Sequence, residues 1–511
     1  MVLTAASTDR ILGSWGVTLA DPMDVSADSG PNVGARGEWL YDNDPLAKAV
    51  VETILAGALG TSGLEYHSLY QADDAEKASD AEVAVRKQIA RRLRCATRGT
   101  RFDANGVLSR REMSAVTLAS AITRGDSWSV RCWLPNRPGR QTHATCWRII
   151  HSARVCNPQW RADSEHFRQG IELDDSGDPI AIHVLSAHPA SRVTKSREWV
   201  RVALYAPDGS PNVTHHCVHR IPGQLRPVGW FAPVIQLMRL FGRTLEAKTV
   251  ADSLKASMGL ICECEDPEGM ADADANGAVL TGNTKIVPGK VYYVRKGTVW
   301  KELNFQYNGQ DFASWFDVVM TNLCAPFRVP PEFVLQRLTR SNMASSRVAL
   351  AQAYATFHST QNDLIGSTED PWNHSVIHED LARGTLGIAA PAEVEALDRL
   401  LSGHYMRPPR WMPDPMREGQ AAALWVHQLG KSPTSVYADQ GESFADQVVQ
   451  RAQDDALMEQ HGVELAPANA KGKPTSPSGD DNAAVDDDAP RGRPKDDDGA
   501  VAGEPVAQGD A

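Results

Sequence analysis

Apolar residues recur at helical spacing in a long segment near the middle of the chain, residues 231–258. They follow one another at steps of three, four and seven residues, the period of one helical face. Pro233 stands in the first turn, where a missing N–H costs little, and Gly259 follows the last position of the pattern. The pattern predicts a long amphipathic helix, with an apolar face formed by Leu237, Leu240, Ala247, Val250, Leu254 and Met258.

A second segment, residues 311–324, carries a denser apolar stripe at the same spacing. Asp311 begins it, near the positive end of the helix dipole that such a segment would have. The stripe predicts a second helix, with apolar side chains Phe312, Trp315, Phe316, Val319 and Leu323.

Short β-like runs at 278–280, 285–287 and 291–294 connect these two helices, and glycine-containing pairs punctuate them as turns. After the second helix, prolines at 330–331 interrupt the pattern, and a third helix is predicted from about Asn342. This order suits a protein that projects two helices and a small head from a body. The same order of elements is not typical of an enzyme with a substrate pocket.

The remainder of the chain divides by composition. Residues 1–35 are rich in Ser, Asp, Gly and Ala and are predicted to form a loosely ordered arm. Residues 45–59 and 73–98 show helical patterns, and strand-like runs within 128–205 complete a predicted α/β body. Residues 466–511 contain no aromatic residue, Leu, Ile or Met, so this acidic tail is predicted to be disordered.

Length, charge and cysteine content narrow the classes of function. A chain of 511 residues exceeds one typical core, so two or more structural units are expected. A net charge of −12 argues against a tight grip on nucleic acid, because such binding works by neutralising phosphates. Eight scattered cysteines without a secretory start predict reduced thiols. No apolar run approaches the roughly 18 residues that cross a bilayer, so no membrane partner is expected.

Histidines and cysteines cluster at His215, His216, Cys217 and His219, which raises the question of a zinc site. His215 and His219 have the H-x3-H spacing of structural zinc sites, but on a strand they need not converge. Buried free side chains are the simpler interpretation, so no metal or cofactor is predicted. A metallohydrolase using His215 and His219 remains the enzymatic alternative. The G-x4-G-K-[ST] loop is absent from the sequence, so ATP hydrolysis is not expected.

Two further motifs have simple structural explanations. Basic residues within 86–101 could form a nucleic-acid patch, but helix surfaces routinely carry such charges, and a solvated face is preferred. Residues 101–112 nearly match a calcium-binding loop, but Arg101 occupies the first ligand position, which requires an acid. A turn at Asn105 and Gly106 is predicted instead.

One run of residues resembles the signature of a known family. Residues 222–230, Pro-Gly-Gln-Leu-Arg-Pro-Val-Gly-Trp, resemble the "RPGQxRGVPW" signature of the lambda-type bacteriophage portal proteins, and residues 342–347 resemble their "NYSSAR". The positions carried over from these two motifs are Gly223, Gln224, Arg226, Trp230, Asn342, Ser345, Ser346 and Arg347.

Weaker matches extend the resemblance over about residues 36–462. They follow in the family's order, at residues 43–63, 287–290, 411–415 and 429–432. Departures that affect local turns occur at Asp44, Pro227 and Met343. Each motif alone is weak, but six in the family's order are specific.

The resemblance implies an α+β fold of portal type, with an α/β wing, a two-helix stem, a small β-containing clip and a helical C-terminal region. The implied boundaries are a flexible arm at 1–35, a wing at 36–228, stem helices at 229–258 and 309–325, a clip at 259–308, a channel loop at 326–342, a wing-return helix and helical C-terminal region at 343–465, and a disordered acidic tail at 466–511.

The resemblance also implies a function without enzymatic activity. About twelve copies would form a closed ring at one capsid vertex of the virion, through which double-stranded DNA is packaged and ejected. The implied partners are neighbouring copies, the DNA, the terminase large subunit, the major capsid or scaffold protein and the head–tail connector. Assembly would take place in the host cytoplasm. A structural adaptor that forms no ring is the second alternative.

Two sets of side chains receive roles from the resemblance. The channel loop would carry the cations Arg328, Arg337, Arg340 and Arg347 near DNA. Exposed charges are screened within about 8 Å in physiological salt, so these cations would guide DNA rather than hold it. The stem and subunit interface would contain Leu237, Phe241, Phe312, Trp315, Phe316, Val319 and Leu323.

Overall fold

The structure, a computed structural model, describes residues 20–71, 79–138, 142–193, 197–257, 261–273, 277–279, 291–296, 309–336, 343–391, 393–408, 415–428, 430–433, 436–437 and 444–461. The chain falls into two units, Met1–Gln447 and Val448–Ala511. The predicted acidic tail lies outside the described residues.

The described helices are α1 (Pro22–Asn43), α2 (Pro45–Leu59), α3 (Asp80–Thr97), α4 (Arg110–Arg124), α5 (Ile235–Ser257), α6 (Pro267–Ala273), α7 (Gly309–Cys324), α8 (Pro331–Val334), α9 (Met343–Leu364), α10 (Asp370–Ala382), α11 (Val394–Leu401), α12 (Pro415–His427) and α13 (Phe444–His461). A π-helical turn, Ile365–Glu369, joins α9 to α10. Of the helices described, none combines the length and apolar character needed to cross a membrane.

The described strands are β1 (Glu65–Ser68), β2 (Asp126–Trp133), β3 (Thr145–Ile150), β4 (Phe167–Arg168), β5 (Ile171–Leu173), β6 (Pro179–Leu185), β7 (Trp199–Ala203), β8 (Val213–Cys217), β9 (Ile261–Cys264), β10 (Gly277–Val279), β11 (Val291–Arg295) and β12 (Gly403–Met406). They form small separate sheets, ordered β3-β2-β8, β4-β5-β6-β7, β10-β11-β9 and β1-β12. The predicted mixture of helices and sheets is confirmed.

Helix α1 occupies part of the predicted flexible arm. Asp21 caps it by accepting a hydrogen bond from the Met23 N–H at 2.9 Å, and Pro22 supplies the first helical residue. The helix runs through Pro31 and ends against α2, whose cap is Asp44. The prediction of a loose arm is therefore wrong for residues 22–35. Its polar composition and its internal proline gave no helical pattern in the sequence. Packing against the rest of the body stabilises this helix.

The main apolar core joins α2, α4, α5, α7 and α9. Its buried side chains include Ile54 and Leu59 from α2, Phe241 from α5, Leu323 from α7 and Phe357 from α9. The helix predicted at 45–59 is confirmed, because seven of its residues are buried on this core. This core packs against one end each of α5 and α7, the two helices that were predicted to project from the body.

A second core surrounds α10 and contains buried charges. The Arg110 guanidinium lies over the rings of Phe102 and Trp372, at 4.5 and 4.3 Å, and pairs with Glu369 at 2.5 Å. Glu369 belongs to the π-helical turn, so this pair ties α4 to the start of α10. Because burying one unpaired charge is costly, the pair favours one fixed arrangement of these helices.

The segment between α5 and α7 forms the small head expected from the sequence. Strands β9 and β10 both run parallel to the central strand β11, and α6 connects β9 to β10. Parallel neighbours require a crossover connection, so the head is not built from hairpins alone. The run predicted at 285–287 lies outside the described residues.

Candidate functional site: the helical pair and its anchorage

The signature segment, residues 222–230, begins with a turn on the surface of the body. Gly223 has a φ of 79°, a left-handed conformation that glycine adopts without steric cost. Gln224 is buried, and its backbone carbonyl accepts a hydrogen bond from His219 Nδ1 at 2.8 Å. This turn aims the chain toward Arg226.

Arg226 connects the signature segment to separate parts of the body. Its Nε donates to the Asp126 carboxylate at 2.6 Å, and its Nη1 donates to the carbonyls of Val155 and Gln169 at 2.8 and 2.9 Å. Its Nη2 donates to the carbonyl and hydroxyl of Ser152 at 3.0 and 2.9 Å. A planar guanidinium suits this arrangement, because it offers several donors in fixed directions.

The partner of Arg226 is a buried carboxylate. Burial would raise the pKa of Asp126, but the charge and hydrogen bonds of Arg226, with His215 Nε2 3.6 Å away, hold that pKa well below its usual range. His215 stacks on Trp128 with 3.7 Å between ring centroids, and burial lowers the pKa of His215. The cluster is therefore a fixed ion pair packed under an uncharged imidazole.

The last residues of the signature cross the C-terminal end of α4 at close range. A Cβ on Gly229 would come within 2.3 Å of the Thr123 carbonyl oxygen, so only glycine fits there. The Trp230 N–H donates to the carbonyl of Ile122 at 2.8 Å. These contacts keep residues 229 and 230 out of the helix. The helix was predicted to begin near residue 229, but α5 begins at Ile235.

Helices α5 and α7 form what we call the helical pair. Phe241 on α5 contacts both Trp315 and Phe316 on α7, with ring centroids 5.8 and 5.7 Å apart. Farther along, the Lys248 ammonium lies 5.0 Å from the ring centroid of Phe312. The predicted stripe of α7 therefore meets α5, but the predicted α5 face is wrong, because Leu240 and Val250 are exposed and Phe241 makes the contact instead.

Several residues predicted for the subunit interface lie in the subunit's own core. Val319, Leu323 and Phe241 are buried there, so they present no contact surface to a neighbour, and for them the interface prediction is wrong. For α7 the periodicity predicted the buried face correctly, but it could not show that the same subunit covers that face. Leu237, Phe312 and Phe316 are partly buried, and Trp315 is 37% exposed.

The first part of the predicted channel loop packs onto the body. Val329 and Val334 are buried in the main core, and Pro331–Val334 form α8, so this stretch is not an open loop. Arg328 is exposed with a φ of 55°, and its carbonyl accepts a hydrogen bond from Thr356 at 2.9 Å. Its backbone is thus fixed while its side chain faces outward.

The remaining predicted loop and motif residues can be placed only in part. Arg337, Arg340 and Asn342 lie outside the described residues. Helix α9 begins at Met343 and includes Ser345, Ser346 and Arg347. The two serines therefore stand inside the first turn of the helix.

The histidines and cysteine that suggested zinc have other partners. His216 Nδ1 lies 2.7 Å from the Ser367 hydroxyl, and Cys217 Sγ lies 3.2 Å from His219 Nε2. Burial raises the pKa of the Cys217 thiol to about 12, so this thiol is not a reactive thiolate at neutral pH. Among the residues that the structure describes, no three His, Cys, Asp or Glu side chains are grouped to hold a metal ion.

Basic residues of α3, for which a nucleic-acid patch was the less favoured alternative, contact other parts of the chain itself. Arg92 pairs with the buried Asp380, and Arg94 pairs with Glu65 at 3.1 Å. Arg86 Nε donates to the carbonyl of Tyr70 at 2.8 Å. The interpretation of α3 as an ordinary helix surface agrees with these contacts.

The signature segment, the helical pair and the intervening head thus occur in the order that the resemblance implied. The model of the lambda family of phage portal proteins matches residues 8–361, which is more than half of the chain. This chain belongs to that family. Its function is that of a phage portal protein, and the family is one of structural proteins.

Solved structures with a similar arrangement come from gene transfer agent particles. A chain from the virion of the native particle has a TM-score of 0.43 and 12% identity, covering 81% of this chain and 93% of that chain. A chain from the neck of the native particle, computed with C12 symmetry, has a TM-score of 0.39 and 13% identity, with the same coverage. No curated protein sequence matches the chain.

Sequence reasoning missed two components of the site. Asp126 precedes Arg226 by 100 residues, and an Arg-Gly-Asp triplet gave no sign of a buried ion pair. Arg36 and Trp39 on α1 lie beside α5, just past the segment predicted as an arm, in a part of the predicted wing for which no helix was predicted. The Asp21-Pro22 pair, a common helix start, was the available signal.

Proposed function

We propose that this portal protein forms a closed ring of about twelve copies at one capsid vertex of a virion, assembled in the host cytoplasm. Double-stranded DNA passes through the axial channel during packaging and ejection. The helical pair is the stem, residues 259–308 are the clip, and the body is the wing. Membership of the portal family carries this proposal.

The exposed surface of the helical pair supports a ring. Trp315 is 37% exposed, and Val318 and Leu240 are more than half exposed. Large apolar side chains clustered on a projecting element are typical of surfaces that a partner covers. In a ring, the same surface is covered in every subunit.

The head supplies a surface for docking partners. Glu263, Glu265, Asp266 and Glu268 are exposed on or next to β9 and α6. Such an acidic surface suits basic faces on the terminase large subunit and, later, on the head–tail connector, because complementary charge raises association rates. Contacts with the major capsid or scaffold protein are assigned to the body.

Negative-stain images of the purified protein test the ring directly. Closed rings with a central hole are expected, and Trp315→Asp should reduce their number because it places a charge on the apolar surface. Val107→Asp, at a 71% exposed position on the body, is the matched control and should leave rings intact. A strict monomer at micromolar concentration, with no rings in the images, would favour an adaptor that forms no ring.

The enzymatic alternative has its own test. A metallohydrolase using His215 and His219 requires a bound metal, so elemental analysis should find zinc at one ion per chain. The packing of His215 against Trp128 favours a structural role for that residue. We therefore expect zinc far below equimolar, and an equimolar zinc content would support the metallohydrolase.

A further inference from the structure

A groove with a cationic and apolar lining lies between α1 and α5. It has a volume of about 550 Å³. Its lining residues are Arg36, Trp39, Leu40, Ile235, Gln236, Arg239, Leu240 and Arg243. We call it the α1–α5 groove.

The groove presents unneutralised positive charge. The Arg239 guanidinium lies 5.7 Å from the centroid of the Trp39 ring. In the described part of the chain, no carboxylate pairs with Arg36, Arg239 or Arg243, and no acidic side chain lines the groove. Trp39 is 51% exposed and Leu240 is 62% exposed. Tryptophan and arginine are the residues that most often dominate binding energy at protein interfaces.

A complementary surface lies on the other helix of the pair. Trp315 and Val318 are exposed on α7, and Val318 is 61% exposed. Asp317 stands between them in the sequence and is also exposed. This α7 face therefore combines two apolar side chains with one carboxylate, whereas the α1–α5 groove combines apolar side chains with three guanidinium groups.

The two surfaces lie at the same level of the helical pair. Phe241 contacts Trp315 and Phe316, so the part of α5 that carries Leu240 faces the part of α7 that carries Val318. Rotation about a ring axis leaves the height of each residue along that axis unchanged. In the proposed ring, with the helical pair along the axis, the groove of one copy and the α7 of its neighbour would lie at this same level.

We propose that the α1–α5 groove of each subunit receives the α7 face of the next copy in the ring. Trp315 and Val318 of one copy pack against Leu240 and Trp39 of the other, and Asp317 faces the groove arginines. This contact is heterologous, the type that closes into rings. The inference rests on the proposed ring, and it makes α1, from outside the stem, part of the contact.

Disulfide cross-linking tests which surfaces meet. Leu240→Cys and Val318→Cys in one chain should form bonds between neighbours under mild oxidation, giving a ladder of covalent oligomers on a non-reducing gel. Each single substitution and the unsubstituted chain, with its own free thiols, are run beside it. The matched control replaces Leu240→Cys by Val107→Cys, which lies on the body and should give no ladder.

A charge exchange supplies a second, independent test. Arg243→Glu should lower the fraction of protein in rings severalfold, because it brings two carboxylates together across the contact. Adding Asp317→Arg to the same chain should recover part of the lost rings, since the carboxylate at position 243 then faces a guanidinium at position 317, while Arg36 and Arg239 limit the recovery. Asp317→Arg combined with unaltered Arg243 should be as defective as Arg243→Glu.

The outcomes separate this inference from the proposed ring. If the unsubstituted protein forms no rings, the proposed function fails and the groove contact with it. If rings form, but the paired cysteines give no ladder and the charge exchange gives no recovery, the ring stands and this contact is wrong. If the paired cysteines prevent assembly, the charge exchange decides: recovery of rings supports the contact, and no recovery overturns it. A ladder formed equally by the Val107→Cys control also overturns the inference.

Discussion

Arg226 joins several segments of the body, because its one guanidinium donates hydrogen bonds to a buried carboxylate and to backbone carbonyls from separate segments. Replacing it with an uncharged residue leaves Asp126 charged and buried without its partner. Arg226→Leu should therefore lower the free energy of unfolding by about 3–5 kcal/mol, measured by urea denaturation. Arg98→Leu, at an exposed position, is the control and should change little. Equal losses for both variants would contradict the anchoring role.

His216 should make stability depend on pH between about 6.5 and 4. Burial lowers the pKa of His216 to about 4, so the unfolded chain takes up a proton in this interval that the folded chain does not. The contribution of neutral His216 to the free energy of unfolding is fully present above pH 6.5. It falls by up to roughly 3 kcal/mol as the pH drops toward 4.

Unfolding of the His216→Asn variant tests this dependence. Asparagine does not titrate, so the fall in stability between pH 6.5 and 4 should be smaller than in the unsubstituted protein. His427→Asn, at an exposed position, is the control for replacing a histidine. Identical slopes for His216→Asn and the unsubstituted protein would show that His216 does not contribute.

At single residues, the sequence indicated which positions matter but not their partners. The resemblance marked Gly223 and Arg226, yet Asp126 could not be inferred, because nothing local links positions 100 residues apart. Gly125 shows the same limit: a Cβ there would come within 2.0 Å of the Pro227 carbonyl oxygen. That close approach exists only after the signature segment has crossed the end of α4.

At the scale of elements, periodicity predicted helices where one face is buried. Helix α2 was predicted with its observed bounds, and α7 within two residues of its start, because their apolar stripes face a core. Helix α1 was missed, since its first half is polar. The parallel pairing of β9, β10 and β11 could not be predicted either, because the sequence of a short strand does not show whether it pairs parallel or antiparallel.

The contact between α2 and α9 depends on one glycine. A Cβ on Gly57 would come within 2.4 Å of the Phe357 ring, so Gly57→Ala forces these helices or the ring to move. The expected loss is about 1–3 kcal/mol of unfolding free energy, less the roughly 1 kcal/mol by which alanine favours a helix. Gly242→Ala in α5, where nothing lies within 4 Å, should instead be stabilising.

A double-mutant cycle distinguishes a local clash from a general effect of alanine. In a Phe357→Leu background the ring is absent, so adding Gly57→Ala should cost less than it does alone. Urea denaturation of the four variants gives the coupling energy. Additive losses would mean that Phe357 is not what the methyl group meets.

For the whole molecule, the distribution of charge is more informative than its sum. The net charge is −12, and residues 466–511 carry ten acidic and five basic residues. In contrast, burial and the nearby positive charge of Arg328 lower the pKa of Arg220, so two cations lie close together where the proposed channel loop begins. A conduit with few cations lets phosphates slide, because each contact is weak in salt.

The proposed belt of cations can be tested in assembled heads. Arg337 and Arg340 follow Arg328 in the proposed channel loop, and in a ring they would repeat around the DNA. Arg337→Glu combined with Arg340→Glu should leave the ring intact and reduce the DNA packaged or retained per head, because the loop would then repel phosphates. The control pair, Arg98→Glu with Arg192→Glu, makes the same charge change at exposed positions of the body and should package normally. Ring assembly is read from negative-stain images and DNA content from the density of purified heads. If the loop pair abolishes assembly while milder neutral variants assemble and package normally, the loop is a structural element and guides no DNA.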